Sequence, residues 1–171
     1  MKGVPLTDKK LDPKKETLIK SLYDYAYSQF QKKEYSECAK RLTDLLELDP
    51  SSGIAVHLRG KCYYEEREHD SAIKDFTTQI ELGYEIGRGY DCRGRSYYRQ
   101  GIGNTNAMAF ADLMISLDDY TKQIELKYDI GRGLYNRGLA NRYLENYPEA
   151  IADFTEQINH GYIPGKGYSY R

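Results

Sequence analysis

Apolar and small residues recur along the chain at helical spacing, in paired runs. IAVHLRGKCYYEER (54–67) carries apolar positions three and four residues apart, and SAIKDFTTQIEL (71–82) does so again after a short polar break. The two runs predict two helices joined by a tight turn. The same pattern returns: DFTTQIELGYEIGRGYDCRG at 75–94 is echoed by DYTKQIELKYDIGRGLYNRG at 119–138 and DFTEQINHGYIPGKGYSYR at 153–171. A fixed period of this kind marks one supersecondary unit stacked on copies of itself. Counted from Ile19, the units are 19–52, 53–86, 87–130, 131–164 and a partial 165–171, so the period is 34 residues except in the third unit, which is longer by 10.

Equivalent positions explain how each pair of helices packs. Ala26, Gly60, Gly94 and Gly138 in the first helix, with Cys38, Ala72, Ser116 and Ala150 in the second, are small enough for the backbones to approach. Leu42, Phe76, Tyr120 and Phe154 supply bulk beside them, and Leu46, Ile80, Ile124 and Ile158 extend the apolar stripe. Gly83 and Gly161 suit left-handed C-caps, and Pro50 stops the second helix of the first unit. Period, helix pair and the placing of small and aromatic residues together resemble the tetratricopeptide repeat family over 19–171. The resemblance implies an all-α fold, an α-solenoid of stacked antiparallel helical hairpins, and a role in protein interaction. Its terminal proline is kept only as Pro50 and gives way to Tyr84, Tyr128 and Tyr162 in later units. The Tyr-x-x-Gly-x-Gly stretch at 98–103 gives the third unit some Sel1-like character.

The extra residues of the third unit fall between Tyr98 and Leu113. Asn104, Thr105 or Asn106 can cap a second helix lengthened to about 106–126, with Met108, Phe110, Ala111, Met114 and Ile115 as apolar positions. Such a helix is either a spacer packed on its neighbours, the reading that apolar residues favour, or an added ligand-contacting ridge. At the other end, residues 1–16 hold five lysines and two prolines and read as a solvated basic leader.

Composition narrows the function classes. The 171 residues carry 25 Lys+Arg against 26 Asp+Glu, so no bulk charge announces a nucleic acid or a membrane. No apolar run reaches the roughly 18 residues of a membrane helix, and the N-terminal stretch has no apolar signal core, which points to the cytoplasm. Cys38, Cys62 and Cys92 are odd in number and widely spaced, so core thiols are expected in place of a disulfide or zinc framework. His57, His69 and His160 have no metal-ligand spacing, and no nucleophile elbow or phosphate loop is present, so neither enzyme activity nor a cofactor or metal is expected. His69 stands where Tyr35 and Tyr147 stand in other units and reads as packing. The pairs Gly87/Gly89 and Gly131/Gly133 read as hairpin joints. Arg59, Arg93 and Arg137 recur at a fixed offset from Asp75, Asp119 and Asp153, the pattern of an ion pair inside each hairpin. Thr77, Thr121 and Thr155, with Gln79, Gln123 and Gln157 two residues on, are polar links to neighbouring hairpins.

What remains is the inner surface that first helices line in a stacked array. Helical periodicity places Lys20, Lys61, Arg88, Arg95, Arg99, Arg132, Arg142 and Lys166 there against Asp24, Glu65 and Asp91, an excess of five positive charges on a chain whose net charge is −1. Tyr23, Tyr27, Phe30, Tyr64, Tyr98, Tyr135, Tyr143 and Tyr170 interleave with them. The expected ligand is an extended acidic or phosphorylated peptide, held by Lys20, Tyr23, Tyr27, Lys61, Tyr64, Arg88, Arg95, Tyr98, Arg99, Arg132, Tyr135 and Asn136. Binding of chaperone tails is not expected, because the family's carboxylate clamp survives only as the fragments Lys61, Arg88, Arg132 and Asn136, in the wrong order. Two rivals stand beside this reading: a helical-repeat protein that binds single-stranded RNA, and a targeting module of a larger enzyme continuing past Arg171. The partial fifth unit would leave the flank of Tyr147–Ile158 open to self-association.

Overall fold

The computed structural model describes residues 12–102 and 107–164. Eight helices follow one another: α1 (Pro13–Gln31), α2 (Tyr35–Leu48), α3 (Gly53–Glu65), α4 (His69–Glu81), α5 (Ile86–Gly101), α6 (Ala107–Glu125), α7 (Ile130–Tyr143) and α8 (Tyr147–Asn159). Each packs on the next, and α1, α3, α5 and α7 also touch one another in order, whereas the second helices of successive hairpins do not. The first helices therefore form the inner layer of an α-solenoid and the second helices its outer layer. Asp12 caps the N-terminus of α1, its carboxylate accepting from the Lys14 N–H at 3.2 Å, so residues 13–16 form the first turn of this helix. The expected capping residues 104–106 and the partial unit 165–171 lie outside the described residues.

The small-and-large alternation sets the distance between paired helices. A Cβ added to Gly60 would stand 2.8 Å from the Phe76 ring, and one on Gly138 equally close to Phe154. A second set of glycines explains the tyrosines that replace proline. Gly53, Gly87 and Gly131 open the inner helices, and a Cβ on Gly87 or Gly131 would meet the Cβ of Tyr128 or Tyr162 at 2.5 Å. The aromatic residue closing each unit thus lies on the glycine that began it. Gly89 and Gly133 receive Ile80 and Ile124 of the preceding outer helix, at 2.7 and 2.8 Å from a would-be Cβ. The equivalent Ile158 on α8 is 70% exposed, with Tyr147 and Ile151 also exposed, on the flank where the sequence places self-association.

Three arginines join the hairpins. The Arg59 fork donates to both oxygens of Asp75 at 2.8 and 2.7 Å, and its third nitrogen donates to Thr43 of the preceding outer helix at 3.1 Å. Arg93 repeats this with Asp119 (2.9 and 2.7 Å) and Thr77 (3.2 Å), and Arg137 with Asp153 (2.7 Å) and Thr121 (3.1 Å). The aspartates are buried and the arginines about one-fifth to one-quarter exposed. The glutamines fix the joints: Gln79 donates to the carbonyls of Tyr84 and Glu85, and Gln123 to those of Tyr128 and Asp129.

The third unit departs from its neighbours at one backbone position. Lys33, Arg67 and Glu145 make the turn between paired helices with φ of 64°, 64° and 62°, but at the equivalent Gly101 the chain stays helical and α5 continues. A Cβ there would meet Leu113 at 2.7 Å and the Ala109 carbonyl at 2.9 Å, so Gly101 marks a close crossing of α5 and α6. Ala109 and Leu113 are buried in that crossing, while Met108 and Phe110 are 74% and 59% exposed, and Met114 and Ile115 are exposed as well. The extension is therefore a ridge with an apolar crest, and packing accounts for only part of it.

Two substitutions test this architecture. Arg93→Leu, which leaves buried Asp119 unpaired, is expected to cost about 3 kcal/mol of unfolding free energy in urea, against about 1 kcal/mol for Thr77→Val. Gly83 (φ 71°) and Gly161 (φ 67°) adopt the left-handed conformation after the outer helix, and Lys127 does so at φ 56° in the third unit. Lys127→Gly relieves that strain and is expected to add about 0.5–1 kcal/mol, read as a higher urea midpoint.

Candidate functional site

The inner layer brings Lys61, Tyr64 and Arg95 together. The Arg95 guanidinium lies 4.8 Å above the Tyr64 ring and donates to its hydroxyl at 3.3 Å, and the Lys61 ammonium lies 4.6 Å from the Phe30 ring centre. With Phe76, Cys92 and Glu65 they line a small cleft of about 40 Å³. Burial and the positive charge of Arg88 push the Lys61 pKa down, so this ammonium sits among cations with its hydration curtailed. Among the described residues, Arg67, Arg95, Arg99 and Arg142 have no carboxylate within 4.0 Å, whereas Arg41, Arg59, Arg88, Arg93, Arg132 and Arg137 do.

Other residues expected in the groove are already engaged. Arg88 pairs with Glu85 at 2.8 Å, and Arg132 pairs with Asp91 at 3.2 Å and Asp129 at 3.3 Å. Tyr135 packs on Phe154 and Tyr162, with ring centres 6.1 and 5.7 Å away. Lys20 and Tyr23 line a separate opening beside Glu16 and Asp49, and Tyr23 stacks on the half-exposed Tyr27 at 6.2 Å. Asn136 is half-buried on α7 with its Nδ2 unpaired. Tyr98, by contrast, is flanked by Arg142 and Arg99, whose charges lower a phenol pKa that burial raises overall. The twelve expected residues thus divide into a central group around Tyr64, Arg95 and Tyr98, a group locked into ion pairs or packing, a peripheral trio on α1, and Asn136 with its amide nitrogen unpaired.

Beneath the groove runs a buried polar row. His57 Nδ1 meets Gln79 Oε1 at 2.9 Å, and burial lowers the His57 pKa to about 4. One unit on, Asp91 takes the place of His57 and Gln123 that of Gln79, and Asp91 Oδ1 and Gln123 Oε1 are both buried without partners. Burial raises the Asp91 pKa, opposed by Arg132 and Arg95. The sequence pattern runs Arg67 into the end of the first helix of its unit (54–67) and reads His69 as packing. The structure places both, with Tyr64, Glu65, Arg99 and Ile102, around an open pocket of about 450 Å³ at the end of the groove. A face assigned by helical period cannot include Arg67, whose place is the left-handed turn after α3. No group of His, Cys, Asp and Glu capable of holding a metal ion occurs among the described residues, and none of their helices is long and apolar enough to cross a membrane.

Hairpin geometry, glycine joints and the inner helix layer together define the fold of a tetratricopeptide-repeat solenoid. A crystal structure of MamA superposes with a TM-score of 0.75 at 19% identity, covering 84% of this chain and 78% of that one. MamA 41-end from Desulfovibrio magneticus RS-1 gives 0.72 at 15% identity, over 82% and 74% of the two chains. The first TPR of Spaghetti (RPAP3), bound to the HSP90 peptide SRMEEVD, gives 0.56 at 17% identity, over 88% and 95%. No protein-family model matches the sequence, and no curated protein does.

The buried His57 makes stability depend on pH. Its folded pKa of about 4 lies below the unfolded value near 6.5, so the unfolded chain binds more protons as pH falls and stability is lost between those values. His57 alone is expected to cost about 2 kcal/mol at pH 5 relative to pH 7, while Asp91, whose pKa burial raises, acts in the opposite sense. Urea midpoints at pH 7 and 5 should differ more for the wild-type protein than for His57→Gln, and equal differences would exclude His57 as the cause.

Proposed function

We propose that the protein is a non-catalytic interaction module that holds an extended acidic peptide along its inner helices. The observation that carries this reading is the set of cations around Tyr64 and Tyr98 that have no carboxylate of their own. Lys61 is the clearest, since burial and Arg88 already lower its pKa. Glu65 shares its cleft but lies beyond 4.0 Å, and an incoming carboxylate supplies a counter-charge at contact distance. Arg95 offers a guanidinium braced on Tyr64, and Arg142 an exposed one beside Tyr98. Phenol rings next to cations suit a chain that presents alternating carboxylates and apolar groups.

The peptide in the RPAP3 complex, SRMEEVD, is acidic, which supports the same ligand class for this solenoid. It does not carry over the manner of binding. Two of the clamp fragments, Arg88 and Arg132, are held by carboxylates of this chain.

The test uses fluorescence polarisation with a labelled peptide that alternates glutamate and alanine. Lys61→Met combined with Arg142→Glu is expected to weaken binding about 100-fold, the loss of two charge-assisted contacts of about 1.5 kcal/mol each. Helical circular dichroism should be unchanged. Equal affinity in the variant, or a labelled oligo-uridine bound with steep salt dependence in place of the peptide, overturns the reading.

A further inference from the structure

The pocket at the end of the groove has a different chemistry from the groove itself. It lies where the turn after α3 meets the last turn of α5, and its walls are Tyr64, Glu65, Arg67, His69, Arg99 and Ile102. Its volume of about 450 Å³ exceeds what one side chain needs, and it opens to solvent. Arg67 and Arg99 come from different helical hairpins, both are exposed, and neither has a carboxylate within 4.0 Å among the described residues. The His69 imidazole belongs to the same wall, and its Nδ1 is buried without a partner. Burial first, and then the charges of Arg99 and Arg67, push its pKa down, with Asp70 acting the other way. Glu65 is the carboxylate on the wall, so one of the two guanidinium charges is offset and the other is not.

Two guanidinium groups line one cavity beside an imidazole, and their N–H groups supply several donors on its wall. A single carboxylate presents two oxygens and one charge, and fills this arrangement poorly. A phosphate monoester presents three oxygens and close to two charges near neutral pH, and arginine forks pair with it bidentately. The pocket also connects to the groove through a shared wall. Tyr64 touches both openings, carries Arg95 above its ring, and meets His69 edge-on with ring centres 6.0 Å apart.

From this placement we propose that the Arg67–His69–Arg99 pocket receives a phosphorylated serine or threonine of the peptide held in the groove. The proposal rests on the peptide-binding reading above and deepens it. The groove cations Lys61, Arg95 and Arg142 read the acidic character of the segment, and the pocket reads one phosphoryl group at a fixed distance beyond Tyr64. Arg67 is absent from the groove proper, so it can be changed without removing the groove's own cations.

The experiment compares three labelled peptides that alternate glutamate and alanine and differ only at the central residue, which is serine, glutamate or phosphoserine. On the wild-type protein the phosphoserine peptide is expected to bind about 10-fold more tightly than either of the others. Arg67→Gln, and separately His69→Phe, should bring that ratio to within about twofold while leaving the glutamate peptide's affinity unchanged. Equal binding of all three peptides to the wild-type protein overturns this proposal and leaves the peptide-binding reading standing. A preference that survives Arg67→Gln also overturns it, because the phosphoryl group is then read elsewhere. Failure of all three peptides to bind overturns both readings, and a phosphorylated oligo-uridine bound in preference to the phosphopeptide overturns the choice of partner.

Discussion

Each of Arg59, Arg93 and Arg137 stands at a junction of three helices, and the rest of the molecule takes its register from there. The guanidinium fork spans both oxygens of an aspartate on the outer helix of its own hairpin, and the remaining nitrogen reaches a threonine on the outer helix of the hairpin before. One side chain thus fixes how two helices of a unit face each other and how successive units stack. A lateral slip or a rotation of either partner would leave a buried carboxylate without its fork, and that penalty is larger than the net gain from making the pair. With these arginines pointing outward between the layers, the residues on the opposite side of α3, α5 and α7 can only face inward, and that is where Lys61, Arg95 and Tyr98 are found.

Register alone does not make an inner surface receptive; the pairing of its charges does. Counted by helical period, the inner face has an excess of five positive charges. Two of those cations, Arg88 and Arg132, are held by Glu85 and by Asp91 with Asp129. Positive charge without an internal partner therefore lies toward the turn end of the inner helices. The proposed peptide binding rests on this remainder, because a cation already hydrogen-bonded to a carboxylate of its own chain must lose that bond before it makes another. The pairs at the start of α5 and α7 serve the joints between units, beside the glycines that the closing tyrosines cover.

How far the sequence foretold this depended on whether a feature repeats. The hairpins, the ion pairs, the glycine joints and the left-handed caps at Gly83 and Gly161 recur at fixed positions, so each copy corroborates the others, and the structure has them where the period put them. The third unit's longer outer helix also lies close to its expected span. Its exposed crest of Met108 and Phe110 could not be inferred from composition, because apolar residues at helical spacing read as core until a neighbouring element is found or missing. Individual charges were harder still. Arg88 and Arg99 look alike along the chain, and what separates them is Glu85, one turn away from the first and remote from the second. Arg67 belongs to no helical face, since it sits in a turn at positive φ.

The position of the unpaired cations also explains how the folded chain tolerates them. Arg99 lies in the last turn of α5 and Arg142 in the last turn of α7. Peptide dipoles leave the C-terminal end of a helix partly negative, and a cation there gains about 0.3–1 kcal/mol without a carboxylate. This diffuse field holds the charge in place but does not consume its hydrogen-bond donors. A carboxylate partner would do both. Cations kept by a helix end are therefore stable without a carboxylate and keep their N–H donors uncommitted, which a surface of internal salt bridges cannot offer. The same logic gives the inner helices their polarity: joints and ion pairs at the N-terminal ends, where backbone N–H groups and glycines meet the preceding unit, and open cations at the C-terminal ends, where the groove and its pocket face solvent.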